Sequence, residues 1–157
     1  MSILSDSDIK LWINEKGIAI EPFNEKNLTP NGYDLTIDEI LIPKLKKHAK
    51  EGIVKIPYLT WFVISTKEYI KLTAKVCGQL WIRSSWARKG VICSFGKVDS
   101  GFEGTLTFSA FNASIKELDM PIGVRFAQII FETLASKPEF LYGQKQSSYQ
   151  GQRGIHL

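Results

Sequence analysis

Cysteine and histidine are nearly missing from this chain. Among its 157 residues the only cysteines are Cys77 and Cys93, and the only histidines are His48 and His156. So few, so far apart, cannot make a CxxC-type zinc site, which removes zinc hydrolases and zinc deaminases. Both cysteines sit in apolar stretches and read as buried free thiols. One disulfide is possible but nothing demands it, and a reducing, cytoplasmic setting is expected. Long apolar runs are missing too. None approaches roughly 18 residues, so no membrane-spanning helix is expected. The opening MSILSDSDIKLWINEKG is broken by Asp6, Asp8 and Lys10, unlike the basic-then-apolar plan of a signal peptide. There is no βαβ rhythm and no GxGxxG, so a dinucleotide fold is excluded. Charge of one sign is also scarce. Lys plus Arg number 20 and Asp plus Glu 16, a net +4. That is too little for a nucleic-acid coat, yet it leaves room for a small anionic ligand.

What is present suits one domain, with 44% hydrophobic residues and a length that hides roughly 68–70% of the extended surface. Ser5-Asp6-Ser7-Asp8 offers a helix cap, and Ile9, Trp12 and Ile13 recur at helical spacing. Gly17 is expected to end that helix. Residues 44–52 (KLKKHAKEG) read as a charged connector. From Ile53 onward, short alternating or apolar runs recur between turns. Examples are 53–56, 61–66, 76–82, 91–95, 105–112 and 125–131. This pattern predicts an all-β sandwich or barrel.

Four constellations could carry chemistry. Residues 83–90 (RSSWARKG) place three cations and two hydroxyls directly after a strand, a combination suited to phosphate. In 97–104 (KVDSGFEG), Asp99 begins a tight turn, where it is either a turn residue or a base that activates water. In 30–35 (PNGYDL), Asp34 enters a strand beside Tyr33. In 123–131 (GVRFAQIIF), Arg125 and Gln128 interrupt an apolar strand. Separately, 143–157 is rich in Gln, Gly and Ser. It reads either as a frayed end or as an arm that orders over bound nucleotide through Tyr149 and Arg153.

The order and spacing of these segments resemble the five-motif pattern of the dUTPase and dCTP deaminase superfamily. NGYDL, RSSWARKG, GKVDSGFEG, IGVRFAQIIFE and SSYQGQRG look like motifs one to five. ILSDSDIKLWI looks like the start of the deaminase branch. The resemblance implies a single domain over 1–157, a distorted β-barrel or jelly roll with a short N-terminal helix. It also implies a mobile C-terminal arm (about 143–157), and a homotrimer with active sites at subunit interfaces. It implies Mg²⁺ held mainly by phosphates and water. Asp99 and Asp34 would be catalytic, Asp99 activating water and Asp34 orienting the hydrated metal. Arg83, Ser84, Ser85, Arg88 and Gln128 would bind phosphate. Phe102 would face deoxyribose, and Tyr149, Gln152 and Arg153 would cover the nucleotide. No nucleic acid or membrane partner is implied.

The deaminase branch carries a catalytic Glu in the strand after motif three, and here Ser109 holds that position. Serine is a poor acid–base at neutral pH. On that ground the expected activity is dUTP diphosphatase, yielding dUMP and pyrophosphate. The alternatives are a dCTP deaminase, alone or bifunctional, and a non-catalytic nucleotide-binding regulator of the same fold.

Overall fold

A computed structural model describes residues 2–144 and 147–157. Helix α1 (Asp6–Asn14) leads into β1 (Ile18–Glu21), β2 (Leu28–Thr29) and the long β3 (Gly32–Ile42). Then come β4 (Lys47–Ala49), β5 (Ile53–Ile56), β6 (Thr60–Thr66), β7 (Tyr69–Leu72) and β8 (Val76–Ile82). One helical turn, α2 (Ser84–Ala87), precedes β9 (Val91–Ser94), β10 (Lys97–Val98), β11 (Glu103–Gly104), β12 (Thr107–Asn112), β13 (Leu118–Pro121) and β14 (Arg125–Thr133).

All pairings are antiparallel. The main sheet runs β10-β8-β14-β3-β6-β12-β9, with β2 and β4 also on β3. Two small sheets, β1-β7-β11 and β13-β5, close its sides. Strand β3 makes the curl. Its first half (33–36) pairs with β14 and its second half (37–41) with β6, with register shifts in both ladders. A strand that changes partner at a bulge turns a corner, which bends a flat sheet into a half-barrel. The jelly-roll-like architecture with a short N-terminal helix, expected from the sequence, is the one observed.

The core fills that curl. Tyr33, Phe62, Phe126, Phe131 and Ile9 are buried. Phe108 bridges two aromatic contacts, with Phe95 at 5.2 Å and Phe126 at 6.5 Å between ring centres.

Two local expectations change. Helix α1 keeps its predicted cap: Ser5 and Asp8 form a reciprocal box, Asp8 N–H donating to Ser5 Oγ at 3.2 Å and Ser5 N–H to Asp8 Oδ2 at 3.0 Å. At the other end the left-handed residue is Lys16 (φ 59°), not Gly17. Gly17 is needed for space instead, since a Cβ there would lie 2.5 Å from the Trp12 ring. Residues 44–52 are not a plain connector either, because 47–49 form β4 against Ile40–Ile42. Backbone pairing carries that strand while its charges face solvent, a usual arrangement at a sheet edge. Cys77 and Cys93 are free and half-buried, and burial pushes the Cys93 thiol up to about 12. Among the described residues no helix is long and apolar enough to cross a membrane.

Candidate functional site

Two hollows gather most of the sequence-predicted residues. The first, of about 610 Å³, lies beside α2. Lys26, Lys67, Arg83, Lys89 and Arg125 line it, with Glu68 as its one carboxylate. That excess of positive charge suits a polyanion. Trp86 forms part of the wall, its indole N–H donating to the Arg125 carbonyl at 3.0 Å, and Lys89 lies 4.5 Å over its ring. Ser85 lines the hollow, whereas Ser84 does not.

Beneath this hollow lies a buried charge knot. Asp34 has 3% of its side chain exposed; Oδ2 meets Arg83 Nε at 3.0 Å and Arg125 at 3.3 Å. Gln128 Nε2 donates to Asp34 Oδ1 at 3.2 Å and to Thr29 Oγ1 at 3.1 Å. Both oxygens of Asp34 are thus engaged by side chains in this structure. It sets the two guanidiniums in place. Gln128 is likewise committed to this knot.

The second hollow, of about 190 Å³, has aromatic walls: Phe95, Phe102, Phe108, Tyr142 and Tyr149. Phe102 packs edge-on against Tyr142 at 5.4 Å. Asp99 is its only carboxylate, and it also pairs with Lys97 at 3.0 Å. Gln152 reaches in from the C-terminal arm. Its Nε2 donates to the Thr105 carbonyl at 2.6 Å, while its Oε1 is buried without a hydrogen-bond partner.

The arm follows its own barrel. Gly151 N–H donates to the Glu103 carbonyl at 2.8 Å, and Thr105 N–H to the Gln152 carbonyl at 3.0 Å. Tyr149 and Gln152 therefore stand at the second hollow, but Arg153 does not join either one. Its guanidinium stacks on Tyr69 at 4.4 Å. Arg88 also lies apart, in a recess with Lys55 and Lys116. The two hollows share no lining residue.

Sequence reading missed Glu68 and Glu39. Glu68 is buried on the wall of the first hollow, its Oε2 accepting Thr36 N–H at 2.8 Å. Burial pushes its carboxyl above the ordinary value, with the Thr36 hydrogen bonds offsetting only part of that. The signal was faint: one acidic residue between Lys67 and Tyr69 looks like a turn. Among the described residues, no group of three or more His, Cys, Asp or Glu side chains converges, so no metal ligand set is assigned.

Comparison with known proteins places this arrangement. Residues 3–134 match the family described as dCTP deaminase-like. The dCTP deaminase of Pyrococcus horikoshii is 42% identical over 142 residues, 89% of each chain. A probable deoxyuridine 5′-triphosphate nucleotidohydrolase of Sulfolobus islandicus rod-shaped virus 1 is 39% identical over 157 residues, covering 99% of this chain and 97% of the viral one. In fold, the 2′-deoxycytidine 5′-triphosphate deaminase of Agrobacterium tumefaciens superposes with a TM-score of 0.69 at 16% identity, over 82% of this chain and 47% of that one. These likenesses overturn the expectation of a dUTP diphosphatase, since the family match and relatives such as the Pyrococcus enzyme point to deamination. Ser109 does not line the aromatic hollow; its hydroxyl accepts the Trp61 indole N–H at 2.5 Å. A missing carboxyl at this position leaves the carboxylate of the hollow, Asp99, in place. The chain belongs to the dCTP deaminase-like family, on a fold that it shares with the EIAV dUTPase, which superposes with a TM-score of 0.56 at 20% identity over 78% of this chain and 93% of that one.

Proposed function

We propose that this chain is a dCTP deaminase, converting dCTP and water into dUTP and ammonia. The observation that carries the reading is the 42% identity with an archaeal dCTP deaminase across 89% of both chains. The cationic hollow takes the triphosphate and the aromatic hollow takes cytosine and deoxyribose. Phe102 gives the sugar an apolar wall, where a ribose hydroxyl would lose its partners at a cost of about 1–3 kcal/mol. The bond from Gln152 Nε2 to Thr105 fixes the amide, with Oε1 buried and without a hydrogen-bond partner. Cytosine offers an amino donor at C4 where uracil has a carbonyl, so this acceptor would favour cytosine once the arm moves to expose it.

Asp99 does the proton work. Its carboxylate takes a proton from water as the oxygen bonds to C4, and passes it to N3. The tetrahedral C4 then collapses: the remaining hydroxyl proton moves through Asp99 to the amino group, the C4–N bond breaks, and ammonia leaves. Mg²⁺ would offset the charge of the triphosphate, and no side chain is assigned to it. The working unit proposed is a cytoplasmic homotrimer in which each site joins two copies, and the lack of a shared lining residue between the hollows supports the joined site. No nucleic acid or membrane takes part.

Product analysis tests the reading. Incubation with dCTP should release ammonia in step with dUTP. Asp99→Asn should still bind dCTP and lose about 10²–10⁴-fold in turnover, since an amide cannot accept the proton. Tight dCTP binding without ammonia would instead mark a nucleotide-binding regulator of this fold.

A further inference from the structure

Glu39 is the most committed carboxylate in the molecule after Asp34. It lies in β3 with 3% of its side chain exposed. His48 Nε2 reaches its Oε2 at 2.6 Å and Lys50 Nζ at 3.3 Å. Its Oε1 accepts the backbone N–H of Ile155 at 2.7 Å, across 116 residues of chain. Gly154 passes so close that a Cβ there would stand 2.5 Å from Oε1. Burying a carboxylate is costly unless it is paired and hydrogen-bonded. Here one oxygen is served by the neighbouring hairpin and the other by the last residues of the arm.

Those residues are close to the aromatic hollow. Ile155 lies three residue steps from Gln152, so they are at most about 10–11 Å apart. Thr107 Oγ1 also donates to the Gly154 carbonyl at 3.3 Å. An anchor at Ile155 thus limits how far Gln152 can leave the wall of the hollow.

We propose that Glu39 is a positioning residue that pins the C-terminal arm at Gly154–Ile155 and so holds Gln152 and Tyr149 over the bound base. The proposal rests on reading the aromatic hollow as the nucleotide site. Glu39 touches no substrate; it acts through the arm.

The test uses the full chain with Glu39→Ala, Glu39→Gln and Gly154→Ala. Gly154→Ala lies outside the strands, so it reports on the anchor even if Glu39→Ala folds poorly. Tryptic cleavage after Arg153 and hydrogen exchange at the Ile155 amide read the anchor without any nucleotide. Both should rise about tenfold or more in Glu39→Ala and Gly154→Ala, as expected for losing a hydrogen bond to a charged group. Glu39→Gln keeps an acceptor and should recover most of the protection. With dCTP, the two damaging variants should raise KM about tenfold while kcat stays within about twofold of the unaltered chain. Unchanged protection in both variants would overturn the anchor. Lost protection with unchanged KM would overturn its role at the site. Failure of the deaminase reading would appear separately, as no ammonia from the unaltered chain, and proteolysis and exchange would still judge the anchor.

Discussion

At the scale of single residues, Glu39 and Glu68 are buried carboxylates with opposite responses to pH. Burial alone would raise Glu39, but hydrogen bonds from His48, Ile155 N–H and Lys50 outweigh it and hold the carboxyl below its ordinary value. Its contribution to stability is therefore present above the unfolded glutamate value, about 4.3. It is lost as pH falls through the lower folded value. Glu68 runs the other way. Its raised folded value means that its contribution is present at low pH and is lost as pH rises from about 4.3 through that value. Thermal melts of the unaltered chain against Glu39→Gln and Glu68→Gln should separate the two. Relative to Glu39→Gln the unaltered chain should lose its advantage on acidification; relative to Glu68→Gln it should lose ground as pH rises. Parallel curves for both pairs would contradict these assignments. Neither residue was legible in the sequence, because what defines them is a partner far along the chain: Ile155 for Glu39 and Thr36 for Glu68.

At the scale of elements, local patterns were read well and long-range pairings poorly. Strand β8 spans the 76–82 expected from its apolar run, and α1 starts at its predicted cap. Removing that cap with Ser5→Ala deletes the hydroxyl that accepts Asp8 N–H, while the backbone N–H of residue 5 can still donate to Asp8, and should cost about 1 kcal/mol. That is a fall in Tm of about 2–4 °C in a calorimetric scan; no change would mean that packing of Ile9 alone fixes the helix start. Strand β4 escaped notice because its charges resemble a loop and only pairing with β3 makes it a strand. The candidate site shows the same divide. Motif residues Asp99, Phe102, Tyr149 and Gln152 do converge on one hollow. Asp34, Gln128 and Arg153 lie outside both hollows, in contact with Arg83, Thr29 and Tyr69.

At the scale of the whole molecule, the decisive feature is that the cationic and aromatic hollows of one chain share no lining residue. A site joined from two copies predicts complementation. Ser85→Glu puts a negative charge into the cationic hollow without touching the buried Asp34 knot. Asp99→Asn disables the other half. Each variant alone should be nearly inactive. Unfolded together in equal amounts and refolded, they should recover about a quarter of the activity, because that share of sites would draw both intact halves from different copies of a symmetric oligomer. No recovery would place both halves in one chain.

A site joined from two copies would also tie catalysis to mass action. A fully folded lone copy would own both halves of the chemistry and still be unable to bring them to one nucleotide. Dilution would then silence turnover while the barrel stayed intact, and nucleotide bridging two copies would favour assembly. Abundance, as well as substrate supply, would set how fast the dCTP pool is drained.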